Sequence, residues 1–185
     1  MLILASASPR RRELLTQAGY EFQIHPAHIP EDPHPNEDPI AYVTRLARQK
    51  AEAVYAQLAD PTAIVLGADT TVTLDNQILG KPESAQDAAR MLRLLSGRTH
   101  RVITGISLVS THRTETAAEV TAVQFLTLSE AEIQAYIATG EPDDKAGAYA
   151  IQGRAARWIP RIEGCYFNVV GLPISLVSTL LDQML

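Results

Sequence analysis

Residues 63–72 read Ala-Ile-Val-Leu-Gly-Ala-Asp-Thr-Thr-Val, and no other stretch restricts the fold so tightly. A short unbroken apolar run with β-branched residues, entered through Asp60-Pro61, is the pattern of a strand buried on both faces. Such strands sit in the middle of α/β sheets. Gly67 and Ala68 then lead straight into a carboxylate and two hydroxyls. Ligands of open α/β sheets bind at the carboxyl ends of central strands. Asp69 is therefore expected where the strand ends, able to hold a hard cation or to take a proton from water. The competing reading is a side chain that caps a turn.

The flanking sequence alternates helices with strands. Leu2 to Ala5 reads as a buried strand, followed by Ser6-Ala7-Ser8-Pro9 and a helix that stops at Gly19. Ser8 is a good N-cap and Pro9 suits the first helical position. A helix start of this kind offers free N–H groups to an anion. Leu14, Leu15 and Ala18 mark its buried face; Arg11 falls on that face, with Arg10 and Arg12 to either side. An inward arginine needs either an anionic ligand or a buried carboxylate.

Phe22 to His25 suggests a second strand. Residues 26–39 form a Pro-rich acidic loop, either functional or mobile. Its Glu31 is a metal or proton partner, or else solvated charge. His25, His28 and His34 are spaced too irregularly to argue for a metal. Ile40 to Leu58 has the stripe of a helix, with Val43, Ala47, Ala51, Val54 and Leu58 inward and Lys50 among them. Lys50 either snorkels to the edge or reaches a site at the end of the sheet. After Leu74 a hairpin turn returns the chain to Gly80-Lys81-Pro82, where Pro82 forces Lys81 into an extended arm.

Ser84 caps a helix to Leu95. Strands at 102–109 and roughly 118–126 form a hairpin, and Ser129 with Glu132 is a capping box for a helix running to Thr139. In the small-residue segment 141–153, Gln152 carries both donors and an acceptor, as reading a base edge requires. Trp158 to Ile162 reads as a last strand, before a final helix from Ile174. The expected fold is α/β, a mixed twisted sheet with flanking helices.

At 185 residues the chain suits one domain, 1–185, with room for two lobes on one sheet. Its formal net charge of −5 argues against a general nucleic-acid binder. The single cysteine, Cys165, excludes an internal disulfide and fits a reducing compartment. The first residues are too short an apolar run for a signal segment, and no stretch is long enough to span a bilayer. A cytoplasmic protein without a membrane partner is the expectation.

Arg10, Arg11, Lys50 and Lys81 are thus basic groups aimed inward in an acidic protein, beside Asp69 and an acid such as Glu31 or Asp144. Arginine forks and lysine point charges together suit a polyphosphate, and carboxylates beside them suit a shared divalent ion. Residue chemistry alone reaches a metal-assisted hydrolase of a nucleotide-like phosphate, with its site between strand ends.

Several blocks carry the reading further. Ser6-Ala7-Ser8-Pro9-Arg10-Arg11, Gly67-Ala68-Asp69-Thr70, Gly80-Lys81-Pro82, Leu95-Ser96-Gly97 with Thr99-His100, Asp144-Lys145-Ala146-Gly147-Ala148-Tyr149 with Ile151-Gln152-Gly153, and Val169-Val170-Gly171-Leu172-Pro173 resemble the Maf family nearly end to end. The resemblance implies nucleoside triphosphate pyrophosphatases that cut between the α- and β-phosphates, with a divalent cation (Mg²⁺ or Mn²⁺), a house-cleaning role and a link to division arrest. It implies an elongated, two-lobed, inosine-triphosphate-pyrophosphatase-like fold with a central cleft, and a homodimer. The Asp144–Tyr149 and Ile151–Gly153 blocks look like the branch acting on dTTP and UTP rather than on 7-methyl-GTP.

By the same resemblance Asp69 would be the catalytic base and, with Glu31, a metal ligand. Arg11, Thr70 and Gln152 would set substrate choice; Arg10, Lys50 and Lys81 would hold phosphates. Ala150 stands where the family pattern usually has glycine, and Ala155-Ala156 replace a glycine-containing segment beyond Gly153. A non-catalytic nucleotide-binding regulator of septation would use the same anion site without needing Asp69 as a base.

Overall fold

The structure, a computed structural model, describes residues 1–58 and 60–184. Seven strands form one mixed sheet: β1 (Leu2–Leu4), β2 (Phe22–Ile24), β3 (Ile64–Leu74), β4 (Gln77–Leu79), β5 (Thr99–Val109), β6 (Thr114–Gln124) and β7 (Arg161–Glu163). Their order is β2-β1-β3-β5-β6-β7, with β4 paired to β3. β1 runs parallel to both β2 and β3, whereas β4 runs antiparallel to β3 and β7 to β6. Among the described residues α-helices accompany them at α1 (Pro9–Gln17), α2 (Pro39–Tyr55), α3 (Ala85–Leu95), α4 (Glu130–Ile137), α5 (Tyr166–Val170) and α6 (Ile174–Met184). The expected mixed α/β sheet with flanking helices is present.

Local chemistry sets most boundaries. Ser8 caps α1 with Pro9 behind it, Ser84 caps α3, and Ser129 and Glu132 close the capping box of α4. Asp75 and Asn76 both take positive φ, 51° and 62°, which is what a two-residue β3–β4 hairpin demands.

Three expectations shift. β3 does not end before Asp69 but continues to Leu74, because Thr71, Val72 and Thr73 are β-branched and buried within it. What ends near Asp69 is the parallel neighbour: β1 pairs Leu4 with Leu66 and goes no further. Trp158, expected to open a strand, instead closes a 3₁₀ turn at Arg154–Trp158 and is 2% exposed in an aromatic core. Ala18 is exposed rather than core.

Two compact units divide the chain. The first comprises residues 1–70, 104–119 and 171–185; the second comprises 71–103 and 120–170. In the first, Ile3, Ala5, Ala51, Val54, Val65 and Val109 form an apolar cluster. In the second, Leu92, Leu95, Phe125, Tyr136, Tyr149 and Trp158 pack with Val72 and Leu79. Among the described residues no helix is long and apolar enough to cross a membrane.

Candidate active site

Two glycines decide how near α2 comes to the sheet in the first unit. A Cβ on Gly67 would stand 2.0 Å from the Ala47 carbonyl oxygen and 2.8 Å from the Ala51 nitrogen. One on Gly105 would stand 2.4 Å from the Val43 carbonyl. Bare backbone at both points lets helix and strands approach to contact.

That approach delivers the core-facing lysine of α2. Lys50 Nζ lies 2.7 Å from Asp69 Oδ1 and 2.8 Å from Glu31 Oε1. Lys50 and Asp69 are only 8% and 7% exposed. A carboxylate so enclosed needs a hydrogen-bonded counter-charge, and Lys50 supplies one to two acids at once. Lys50 therefore reaches the site rather than snorkelling away.

The acidic loop is fastened to the same helix. The Tyr42 hydroxyl donates to the Glu31 carbonyl at 2.8 Å, and Arg45 Nη2 donates to that of Asp32 at 3.2 Å. Arg45 also forks onto the Glu37 carboxylate at 2.6 and 2.7 Å, which holds Glu37 down at about 2. Burial, followed by the charges of Asp69 and Glu31, pushes Tyr42 up to about 12. Tyr42 and Arg45 escaped the sequence reading. Their signal is an aromatic and a cation one turn apart on a helix that directly follows an acidic loop.

The Arg11 guanidinium is held by neutral oxygens. Nε donates to the Gly171 carbonyl at 2.9 Å, Nη1 to the Ala68 carbonyl at 2.9 Å and to Ser6 Oγ at 3.2 Å, and Nη2 to Thr70 Oγ1 at 3.0 Å. Residues 68 and 70 flank Asp69, so the fork holds the carbonyl before the acid and the hydroxyl after it. Burial pulls the Arg11 pKa down while the charge of Asp69 opposes this. Thr70 Oγ1 also meets Thr104 Oγ1 at 2.9 Å.

Arg10, next along α1, is half-buried, and its side chain makes no hydrogen bond or ion pair with a described residue. His25 instead meets Gln57, and His34 meets Glu37. Among the described residues no three of His, Cys, Asp and Glu converge as a metal site would need.

Lys81 and Gln152 belong to the second unit, and both are exposed. The residue before Lys81 is tied down: Gly147 N–H donates to the Gly80 carbonyl at 3.0 Å. Gly147 takes φ +68°, and a Cβ there would sit 2.8 Å from Val72 Cγ2, so glycine is required twice over. Tyr149 follows, its hydroxyl 2.7 Å from His100 Nε2. Ala155, just beyond this segment, is fully buried in the apolar core.

The architecture has a solved counterpart. The Staphylococcus aureus Ham1 protein matches with a TM-score of 0.55, covering 100% of this chain and 99% of its own, at 12% identity. That likeness defines the fold class and nothing finer.

Sequence comparison goes further. The family model described as Maf-like protein matches residues 1–184, and the chain belongs to the Maf family. The dTTP/UTP pyrophosphatase of Koribacter versatilis is 53% identical over 182 residues, covering 98% of this chain and 93% of that protein. The dTTP/UTP pyrophosphatase of Bacillus pumilus is 50% identical over 181 residues, covering 98% and 95%. That of Moorella thermoacetica is 54% identical over 182 residues, covering 97% and 93%.

Proposed function

We propose that this chain hydrolyses dTTP and UTP between the α- and β-phosphates, releasing the monophosphate and pyrophosphate. The observation that carries the proposal is the buried Lys50 ammonium shared by Asp69 and Glu31. The names of relatives at about half identity over nearly the whole chain support the choice of substrate.

In this reading Asp69, between an Ala68 carbonyl and a Thr70 hydroxyl that both accept from Arg11, takes the proton of the attacking water. Lys50 keeps that carboxylate aimed. Arg10, with no ion pair to a described residue, and the first-turn amides of α1 face the phosphates. Lys81 serves as a second phosphate contact and Gln152 reads the base, as the family resemblance implies.

A divalent cation fits this donor set. Asp69 and Glu31 are hard oxygen ligands held on one nitrogen, and no third acid or imidazole joins them among the described residues. Two carboxylates with the balance from phosphate and water is how Mg²⁺ and Mn²⁺ are commonly held beside a nucleotide. The cation would neutralise charge developing on the phosphate oxygens. The same reading places a homodimer in the cytoplasm, clearing unwanted nucleotides.

The test is a panel of standard and modified triphosphates with Mg²⁺ or Mn²⁺, the products being identified. Fastest release of pyrophosphate from dTTP and UTP is expected. Preference for 7-methyl-GTP would move the chain to the other branch, and no turnover on any triphosphate would leave a binding regulator of septation.

A further inference from the structure

Gln152 projects from its segment with no side-chain bond to a described residue, yet the backbone on both sides of it is closely held. The Tyr136 hydroxyl accepts from the Ala150 N–H at 3.3 Å and donates to Glu141 Oε1 at 2.9 Å. The same Oε1 accepts the Arg154 N–H at 3.0 Å. Gly153 N–H closes back onto the Ala150 carbonyl at 3.0 Å.

The Glu141 carboxylate also occupies the space a side chain would take at residue 153. A Cβ on Gly153 would lie 1.7 Å from Oε1 and 2.5 Å from Cδ. Tyr136 is itself fixed: it is 2% exposed and packs edge-on against Trp158 at 4.9 Å. Two side chains from the end of α4 and the loop after it therefore set residues 150, 153 and 154, and leave Gln152 alone to face outward.

We propose that Tyr136 and Glu141 are positioning residues that set the aim of Gln152, and with it the choice of pyrimidine base. The proposal rests on Gln152 reading the base. Neither residue enters the chemical step. Removing either bond loosens the segment, and the loss falls on discrimination among bases rather than on turnover.

The experiment measures kcat and KM on dTTP and dCTP for the parent, Tyr136→Phe, Glu141→Gln and Gln152→Ala, with melting temperatures alongside. Tyr136→Phe should lower the dTTP-over-dCTP ratio of kcat/KM about fivefold to tenfold, because the hydroxyl's bonds to both Ala150 and Glu141 are lost. The change should appear in KM, with kcat on dTTP within about twofold of the parent. Glu141→Gln keeps an acceptor oxygen and should fall between parent and Tyr136→Phe, which also carries the test if the phenylalanine variant does not fold.

A purely structural role would lower the melting temperature and leave the ratio alone. An unchanged ratio in Tyr136→Phe and Glu141→Gln, while Gln152→Ala relaxes it, overturns the positioning role by itself. An unchanged ratio in Gln152→Ala overturns base reading by Gln152, and the positioning role with it.

Discussion

Lys50 Nζ stands 2.7 Å from Asp69 Oδ1, on a helix that reaches the strand because residue 67 has no side chain. The geometry of the candidate site and backbone packing are one arrangement here: the glycine that admits α2 is two residues before the acid that α2 partners.

The pair makes a direct prediction. Lys50→Met removes the shared cation and leaves Asp69 and Glu31 as neighbouring acids without it. Turnover on dTTP should fall at least tenfold. Lys50→Arg should not restore it, since a planar fork cannot replace a point donor in a space shaped for one nitrogen. Steady-state kinetics on both variants checks this.

Gly67→Ala should cost about 2–3 kcal/mol or more of stability, because its Cβ meets the Ala47 carbonyl at 2.0 Å and backbone must move. Activity should fall with it as Lys50 withdraws. Gly80→Ala meets nothing within 4 Å and should lie within about 0.5 kcal/mol of the parent. Urea unfolding of the two variants side by side separates close approach from mere glycine content.

His100 predicts an acid-sensitive window in stability. Burial pulls it down to about 4 from the ordinary 6.5, so the folded protein keeps the ring neutral. The unfolded chain takes up this proton below 6.5 and the folded one only near 4. The His100 contribution is therefore full above 6.5, declines as the pH falls from 6.5 to 4, and levels off below that. The loss is on the order of 3 kcal/mol. His100→Gln, whose amide can still meet the Tyr149 hydroxyl, should lack this decline when unfolding free energies are measured at pH 7 and pH 4.5.

Much of this was legible in the sequence. A lysine in the middle of an apolar stripe and an aspartate after a buried strand pointed towards one another before any coordinates. Helix caps, which depend on neighbours three residues away, were equally plain. The course of β3 beyond Asp69 was not, since two threonines read as hydroxyls for a site when their β-branching was extending the strand. The acceptors of Arg11 were illegible for a different reason. Sequence shows that a cation points inward, but carbonyl oxygens of residues 68 and 171 have no sequence signature as its acceptors. Trp158 was read as the start of a strand, whereas here a cluster of aromatic rings surrounds it in a 3₁₀ turn.

The central claim is that Asp69 activates the water that splits the triphosphate. It is tested most directly by Asp69→Asn, with dTTP binding and pyrophosphate release measured on the same preparation. The account predicts binding within a few-fold of the parent and turnover lower by a factor on the order of 10² or more. Pyrophosphate release at the parent rate would contradict it.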